Sequence, residues 1–238
     1  MTFSTSVAMT TSPASFASDP LVARVAANLA LVRARVAASA PNPERVRVVA
    51  VTKTFGVEAV LAAAAVGLGD VGENYVDELE AKRGQAGDTT LRWHYLGALQ
   101  TNKIARVCGA ADVICGVSRL RELERIAACS TRAALYLQVD FTGAQGRNGA
   151  PASEIEGLCA RARTLGLDLR GLMCVAAPGE PAARTAFSST ARLADHLGLV
   201  ERSMGMTEDL EIACELGSTE VRVGRALFGS RVSPGTLA

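Results

Sequence analysis

Short apolar runs alternate along the chain with longer segments in which apolar residues recur every three to four positions. The first pattern is typical of buried β-strands, and the second is typical of amphipathic helices. We predict eight strands, at residues 47–53, 69–73, 92–97, 112–117, 133–140, 169–175, 202–206 and 219–224. The segments between them predict helices, at residues 57–66, 75–83, 101–107, 119–129, 152–165, 182–197 and 208–215.

A further helix is predicted at residues 21–38, which carry apolar residues at helical spacing without glycine or proline. The first 18 residues of the chain are rich in Ser and Thr, with neither a basic segment nor a continuous apolar stretch. That composition argues against a secretory signal. We therefore expect residues 1–20 to be a disordered extension and residues 21–238 to be the folded domain.

The alternation of strands and helices indicates βαβ units and a parallel sheet. Eight such strands, with no Pro/Gly-rich linker between two halves, predict a single (β/α)8 TIM-type barrel with an extra N-terminal helix. An open doubly wound sheet is the alternative. The G-x-G-x-x-G fingerprint that usually accompanies that fold is missing after the first strand.

Composition narrows the function. The chain is 49% hydrophobic, and its 25 basic and 24 acidic residues are spread evenly. Without a basic stripe or a long apolar run, we expect no nucleic-acid and no membrane partner. The six cysteines form no C-x-x-C pair, and neither histidine lies at ligand spacing to one. We therefore expect no metal site and reduced thiols in a cytoplasmic protein.

Lysine is scarce in this chain, with only Lys53, Lys82 and Lys103 among 25 basic residues. Arginine can supply a positive charge but not a neutral, nucleophilic amine, so a retained lysine is informative. Lys53 ends the first predicted strand and is a candidate nucleophile. Lys82 lies in the polar run EAKRGQAGD, and we assign it no special role.

The last two predicted strands are followed by a candidate phosphate site. Ser203, Gly205 and Thr207 precede one helix, and Gly224 ends the eighth strand where another helix is expected. Backbone N–H groups at such helix starts bind phosphate in many barrels of this fold. A serine before a helix is commonly only an N-cap, but the two loops together favour a phosphorylated ligand.

Arg222 lies two residues before Gly224, so the two positions share one face of the strand. We expect Arg222 to point into the barrel, where it pairs with a strand carboxylate or donates to the ligand. A strand-end lysine, a phosphate site and an inward arginine together suggest pyridoxal phosphate. Lys53 would form the Schiff base with its aldehyde.

Motifs spread over residues 21–231 carry a family resemblance: AVTKTFGVEAV, VGENYVDEL, RWHYLGALQTNK, LQVDFTGAQGRNG, RGLMCVA and SMGMTEDLEIACELGSTEVRVGRALFG. The sequence resembles the pyridoxal phosphate homeostasis proteins, single-domain relatives of the barrel half of alanine racemase. The resemblance implies that Lys53 holds pyridoxal 5'-phosphate as an aldimine. It further implies that Ser203, Gly224 and Arg225 bind the phosphate and that Arg222 faces the pyridine nitrogen.

The resemblance also implies that Asn74 lies close to the cofactor ring. Two positions depart from the family pattern. Arg225 stands where Thr or Ser is common, which removes a hydroxyl contact but allows a charge-assisted one. Arg147 stands where lysine is common, in line with the general avoidance of lysine.

The resemblance implies a carrier that holds pyridoxal phosphate and delivers it to apo-enzymes. We expect a monomer or weak dimer, since a barrel alone can be monomeric while its helix faces leave a dimer open. A small amino-acid racemase is the alternative. A racemase needs two bases, and related racemases take the second, a tyrosine, from an additional β-domain. A sugar-phosphate enzyme with Lys53 as its Schiff-base residue is a third, weaker candidate.

Overall fold

The computed structural model describes residues 19–229. Its strands are β1 (Arg47–Val51), β2 (Asp70–Glu73), β3 (Arg92–Tyr95), β4 (Val113–Val117), β5 (Ala134–Asp140), β6 (Ala150–Pro151), β7 (Leu169–Cys174), β8 (Glu201–Ser203) and β9 (Glu220–Val223). Its α-helices are α1 (Pro20–Ser39), α2 (Val57–Ala65), α3 (Val76–Ala86), α4 (Ile104–Ala110), α5 (Leu120–Ala128), α6 (Ala152–Thr164), α7 (Glu180–His196), α8 (Leu210–Glu215) and α9 (Arg225–Phe228).

Eight parallel strands form a closed barrel in the order β4-β3-β2-β1-β9-β8-β7-β5. The pairing of β4 with β5 closes the ring, which excludes the open doubly wound sheet. The two-residue strand β6 pairs with the end of β5 outside this ring. The predicted TIM-type barrel is therefore confirmed, with all eight predicted strands and a helix at every predicted helical segment.

Helix α1 begins with a side-chain cap. Asp19 accepts a hydrogen bond from the Leu21 N–H at 2.7 Å, and Pro20 occupies the first helical position, where it loses no intrahelical bond. The predicted extension thus overlaps the helix at Asp19 and Pro20. Its other residues, 1–18, lie outside the described part of the chain, and their disorder stays a prediction.

One face of α1 covers the outside of the barrel beside α8 and α9. Its buried residues recur at helical spacing: Val25, Leu29, Val32 and Val36. Two polar side chains then connect α1 to the carboxyl-terminal elements. Asn28 donates to the Leu227 carbonyl at 2.8 Å, and Arg35 donates to the Thr207 carbonyl at 2.8 Å. Helix α1 therefore supports the segments that follow β8 and β9.

The barrel interior contains an apolar group and a charged group. Val113, Cys115, Tyr136 and Met173 form a small buried cluster inside the ring. Nearer the amino ends of the strands, the Arg47 guanidinium pairs with Glu201 at 2.9 Å and with Glu220 at 3.4 Å. Apolar and charged side chains thus occupy the barrel interior below the carboxyl ends of the strands.

Composition predicted reduced cysteines and no membrane partner. All six cysteines are free thiols, and four of them are buried, as reduced core cysteines would be. Within residues 19–229, no helix combines the length and the apolar character needed to cross a membrane.

Candidate functional site

A cavity of about 830 Å³ opens at the carboxyl ends of the barrel strands. Five of the six predicted site residues line it, namely Lys53, Asn74, Arg222, Gly224 and Arg225. They come from the segments at the ends of β1, β2 and β9, which are neighbours in the barrel. The structure brings these five residues together, while their contacts with a ligand stay predictions.

The register of the sheet explains why these residues meet. Ala50 of β1 lies opposite Val223 of β9, so the end of β1 lies beside Gly224. A Cβ atom at Gly224 would lie 3.1 Å from the Val51 carbonyl oxygen, tighter than an ordinary contact. Glycine at this position therefore lets the start of α9 approach the strand that leads to Lys53.

Lys53 lies in a turn rather than in a strand, because β1 ends at Val51. The predicted strand was two residues too long. The next residue, Thr54, has φ of +67°, a left-handed conformation that is rare for a β-branched side chain. Its N–H donates to Glu78 Oε2 of α3 at 2.8 Å. The turn that carries Lys53 is thus held in an unfavourable conformation by a side chain from α3.

Arg222 is buried and extends across the barrel interior to the cavity. Its Nη1 donates to the Ser203 carbonyl at 2.6 Å and to Ser203 Oγ at 2.8 Å, and its Nη2 donates to the Cys174 carbonyl at 2.9 Å. A guanidinium carries five N–H donors, so three bonds to β7 and β8 leave capacity for a ligand. The predicted carboxylate partner is reached only indirectly.

Ser203 connects Arg222 to that carboxylate. Its hydroxyl donates to Glu220 Oε1 at 2.6 Å while it accepts from Arg222, and the residue is fully buried. Ser203 is not among the residues that line the cavity. Its predicted contact with a phosphate gains no support from this geometry, because the hydroxyl is occupied on both sides.

The segment after β8 forms another wall of the cavity, two strands from β1 in the barrel. Met206, Thr207 and Glu208 line it. Gly205 has φ of +90°, which favours glycine, and an added Cβ would lie 2.5 Å from that of Ala213. This segment therefore packs closely on α8, in the position where the sequence predicts a phosphate site.

Arg225 forms an ion pair at the mouth of the cavity. Its guanidinium pairs with Glu208 at 2.6 Å across the space between the β8 and β9 segments. Both side chains are more than half exposed, so the pair is screened by solvent and weak. An incoming anion could compete with Glu208 for Arg225 at low cost.

Two cavity residues escaped the sequence analysis. Gln138 of β5 and Asn148 line the cavity and bond to each other, with Gln138 donating to the Asn148 carbonyl at 2.9 Å. Arg147 beside them donates to the Val175 carbonyl at 2.7 Å, which holds the loop after β5 against the loop after β7. Strand alternation could have placed Gln138 inside the barrel, but nothing in the sequence marks Asn148.

The interpretation of Lys82 as a lysine without a special role is wrong. Its side chain is 7% exposed, and its ammonium donates to the Thr52 carbonyl at 2.8 Å, Glu73 Oε1 at 2.7 Å and Glu78 Oε2 at 2.8 Å. These three acceptors match the three donors of a lysine. Helical spacing turns position 82 inward, although the run around it is polar.

The pKa values of the two carboxyl groups beside Lys82 are shifted in opposite directions. Burial raises the pKa of Glu73 above its usual value, against the opposing effects of hydrogen bonds from Lys82 and Thr52. Burial would also raise the pKa of Glu78, but hydrogen bonds from Lys82 and the Thr54 N–H hold it below its usual value. Of these two carboxyl groups, Glu78 is therefore the one whose charged form the fold favours.

His94 is fully buried, and its Nε2 lies 2.8 Å from Asp70 Oδ1. With Cys115 and Glu220 it places three possible metal-ligand atoms within 4.8 Å of one another. The Arg47 guanidinium already pairs with Glu220, and burial raises the pKa of the Cys115 thiol well above its usual range. The cluster belongs to the polar interior of the barrel, and the absence of a metal site stays a prediction.

Comparison with known proteins places this arrangement in a family. The family model of the alanine racemase N-terminal domain matches residues 22–232. The pyridoxal phosphate homeostasis protein of Pseudomonas aeruginosa is 37% identical over 87% of this chain and 96% of its own length. That of Escherichia coli K12 is 33% identical over 87% of this chain and 97% of its own length.

The chain belongs to the pyridoxal phosphate homeostasis protein family. A solved structure of the family member PipY from Synechococcus elongatus with pyridoxal phosphate bound matches with a TM-score of 0.76 and 30% identity. It covers 86% of this chain and 100% of PipY. Alanine racemase from Streptomyces lavendulae matches with a TM-score of 0.69 and 23% identity, over 90% of this chain and 58% of the racemase. That second likeness shows a shared barrel fold.

Proposed function

We propose that this protein binds pyridoxal 5'-phosphate covalently through Lys53 and takes part in its homeostasis, as a carrier that releases the cofactor to apo-enzymes. The Lys53 amine would condense with the aldehyde of the ligand, forming a C=N bond and releasing water. The exchange would take place in the cytoplasm, as the sequence predicts. PipY, crystallised with this ligand, supports the assignment of the ligand.

One observation carries the proposal: Lys53, Arg222 and Gly224 line a single cavity from two paired strands, β1 and β9. The Lys53 amine would meet the aldehyde, and the Arg222 guanidinium would meet the ring nitrogen. The backbone at Gly224 would lie close to the phosphate. The cavity, at about 830 Å³, has ample room for a ligand of this size.

The phosphate would be bound where the segments after β8 and β9 meet. The first N–H groups of a helix have no intrahelical acceptor, which makes the start of α9 at Arg225 suitable for an oxyanion. The Thr207 hydroxyl lies in the same wall. Arg225 would exchange Glu208 for the phosphate, since a charge-assisted bond to a dianion exceeds a solvent-screened pair.

Arg222 would set the electronic state of the ligand ring. Arginine keeps its protons, so a ring nitrogen facing it accepts a hydrogen bond and stays unprotonated. An unprotonated ring withdraws electrons poorly. This arrangement favours storage and release over chemistry at a bound amino acid.

The tyrosines of the chain give little support to racemisation. The Tyr95 hydroxyl donates to the Ala98 carbonyl at 3.1 Å, and the Tyr136 hydroxyl accepts from Arg47 at 3.0 Å. Burial raises the pKa of both phenols, which makes the phenolate scarce. Neither these two nor Tyr75 lines the cavity. Among the residues that the structure describes, no tyrosine of the cavity wall is therefore placed to act as the second base, and we propose that the protein is not a racemase.

The visible absorption spectrum with added pyridoxal phosphate tests ligand binding. Wild type should develop the band of a protonated Schiff base, and Lys53→Ala should lack it. Lys103→Ala is the matched control, since Lys103 lies on the surface in an ion pair with Asp77. A wild type that stays colourless would overturn the proposal.

Transfer to an apo-enzyme separates a carrier from a racemase. Loaded protein should activate a pyridoxal phosphate-dependent apo-enzyme faster than the ligand dissociates into buffer with a trap. In deuterated water it should exchange the α-proton of L-amino acids no faster than free pyridoxal phosphate does. Exchange at an enzyme-like rate would instead favour the racemase.

A further inference from the structure

We propose that Lys82 is a positioning residue for Lys53, because its buried ammonium holds the turn that directs the Lys53 side chain into the cavity. The inference rests on the proposed covalent binding at Lys53. Lys82 does not line the cavity. Any effect on the ligand must therefore pass through the turn at residues 52–54.

Lys82 contacts the residues on both sides of Lys53. It donates directly to the carbonyl of Thr52, the residue before, at 2.8 Å. It also donates to Glu78, whose other bond comes from the N–H of Thr54, the residue after. One ammonium thus fixes the backbone at positions 52 and 54, and Lys53 lies between the two fixed points.

The turn needs such support because of its backbone conformation. Thr54 adopts φ of +67°, where the Cβ of an L-residue is crowded by the following peptide. Conformations of this kind persist only where the surroundings hold them. The hydrogen bond from Thr54 to Glu78 supplies that restraint, together with the bond from the Phe55 N–H to the Thr52 carbonyl at 3.0 Å.

The charge of Lys82 keeps the two carboxyl groups next to the turn. Glu73 is fully buried, and its Oε1 accepts from Thr52 at 2.6 Å and from Lys82 at 2.7 Å. Its Oε2 has no hydrogen-bond partner within residues 19–229. Without the ammonium, two carboxyl groups would face each other in a poorly solvated site, and Glu78 would turn to solvent and release Thr54.

If Lys82 formed only a structural ion pair, its removal would lower stability without changing the reactivity of the Lys53 amine. The test must therefore measure that reactivity. The chain has three lysines, which makes site-by-site measurement simple. Full-length protein is treated with formaldehyde and cyanoborohydride, and methylation of each lysine is followed by mass spectrometry. Affinity for pyridoxal phosphate is measured on the same samples.

Lys82→Met is compared with Lys103→Met, which removes an exposed lysine. We expect Lys82→Met to lower affinity about tenfold, equivalent to roughly 1.4 kcal/mol, and to slow Lys53 methylation at an unchanged circular dichroism spectrum. In Lys103→Met, the affinity and the rate of Lys53 methylation should stay within about twofold of wild type, since exposed ion pairs contribute little. Unchanged affinity and methylation in folded Lys82→Met would overturn the proposal.

Glu78→Ala keeps the test decisive if Lys82→Met fails to fold. Glu78 is partly exposed, so its loss is tolerated, yet it removes the acceptor of the Thr54 N–H. It should weaken binding, whereas Glu80→Ala on the same helix should not. Adding Thr54→Gly to Lys82→Met should restore part of the affinity, because glycine adopts this φ freely.

The two proposals fail differently. A wild type that never bonds pyridoxal phosphate at Lys53 would refute the proposed function, yet formaldehyde would still report on the Lys53 amine. Binding that is normal in wild type and in Glu78→Ala would refute the positioning role alone. A loss of binding in Glu80→Ala equal to that in Glu78→Ala would also refute it.

Discussion

Arg222 is fixed to Ser203 by two hydrogen bonds, from Nη1 to the serine carbonyl at 2.6 Å and to its Oγ at 2.8 Å. The same hydroxyl donates to Glu220 at 2.6 Å, so a carboxylate orients the guanidinium through one serine. This relationship gives Ser203 a structural role in addition to its predicted contact with a phosphate. It orients the arginine that reaches the cavity.

Replacement of Ser203 by alanine should therefore act mainly on stability. The change leaves a buried oxygen of Glu220 without its donor, which costs about 1–3 kcal/mol in the free energy of unfolding. Urea denaturation measures this loss, and affinity for pyridoxal phosphate should fall only a few-fold. Ser188→Ala, on an exposed hydroxyl of α7, is the control. Unchanged stability with a hundredfold loss of affinity would instead favour direct phosphate contact.

Alanine substitutions at two glycines with positive φ distinguish the cost of backbone conformation from the cost of a steric clash. Gly205 (φ +90°) lies against Ala213, while Gly179 (φ +102°) lines the cavity with nothing within 4 Å of an added Cβ. Alanine at either position should cost about 1–2 kcal/mol for its backbone. Gly205→Ala should lose a further 1–3 kcal/mol, roughly, from the clash with α8. Equal losses in urea denaturation would show that the β8 segment packs more loosely than described.

Asp70 should make stability depend on acid pH. Burial alone would raise its pKa, but a hydrogen bond and the charge of His94, with the charge of Arg92, hold it below its usual range. The folded state thus favours the carboxylate. The resulting stability is present above the unfolded pKa of about 3.9 and is lost as pH falls through the depressed folded value.

The variant Asp70→Asn isolates this effect. The difference in unfolding free energy between wild type and Asp70→Asn should be largest near neutral pH and should shrink toward about pH 3. Urea denaturation at both pH values measures it. A difference that stays constant with pH would contradict the assigned role of Asp70.

The barrel was predictable because its signals are local. Each strand is a short apolar run between turn residues, and each helix repeats apolar residues at helical spacing, so even α1 was placed within one residue. Lys53, Arg222 and Gly224 were found because parallel strands end on one face of a barrel. Their meeting in one cavity follows from the strand order alone.

The surroundings of Lys82 and Ser203 could not be predicted because they depend on partners distant in sequence. Lys82 lies in a polar run, and only the packing of α3 on the β1 turn shows that its ammonium is buried. The sequence also does not show that the Ser203 hydroxyl bonds to Arg222 and Glu220, and its predicted contact with a phosphate stays a prediction. Contacts with side chains from other elements produce no local sequence pattern from which they could be predicted.

Borohydride reduction of the protein with bound pyridoxal phosphate, followed by tryptic peptide mapping, tests the central claim most directly. Reduction makes the C–N bond permanent, and a modified lysine resists trypsin. We predict a single adduct in the peptide of residues 48–82, assigned to Lys53 by fragmentation. An adduct on Lys82 or Lys103, or no adduct at all, would contradict the account.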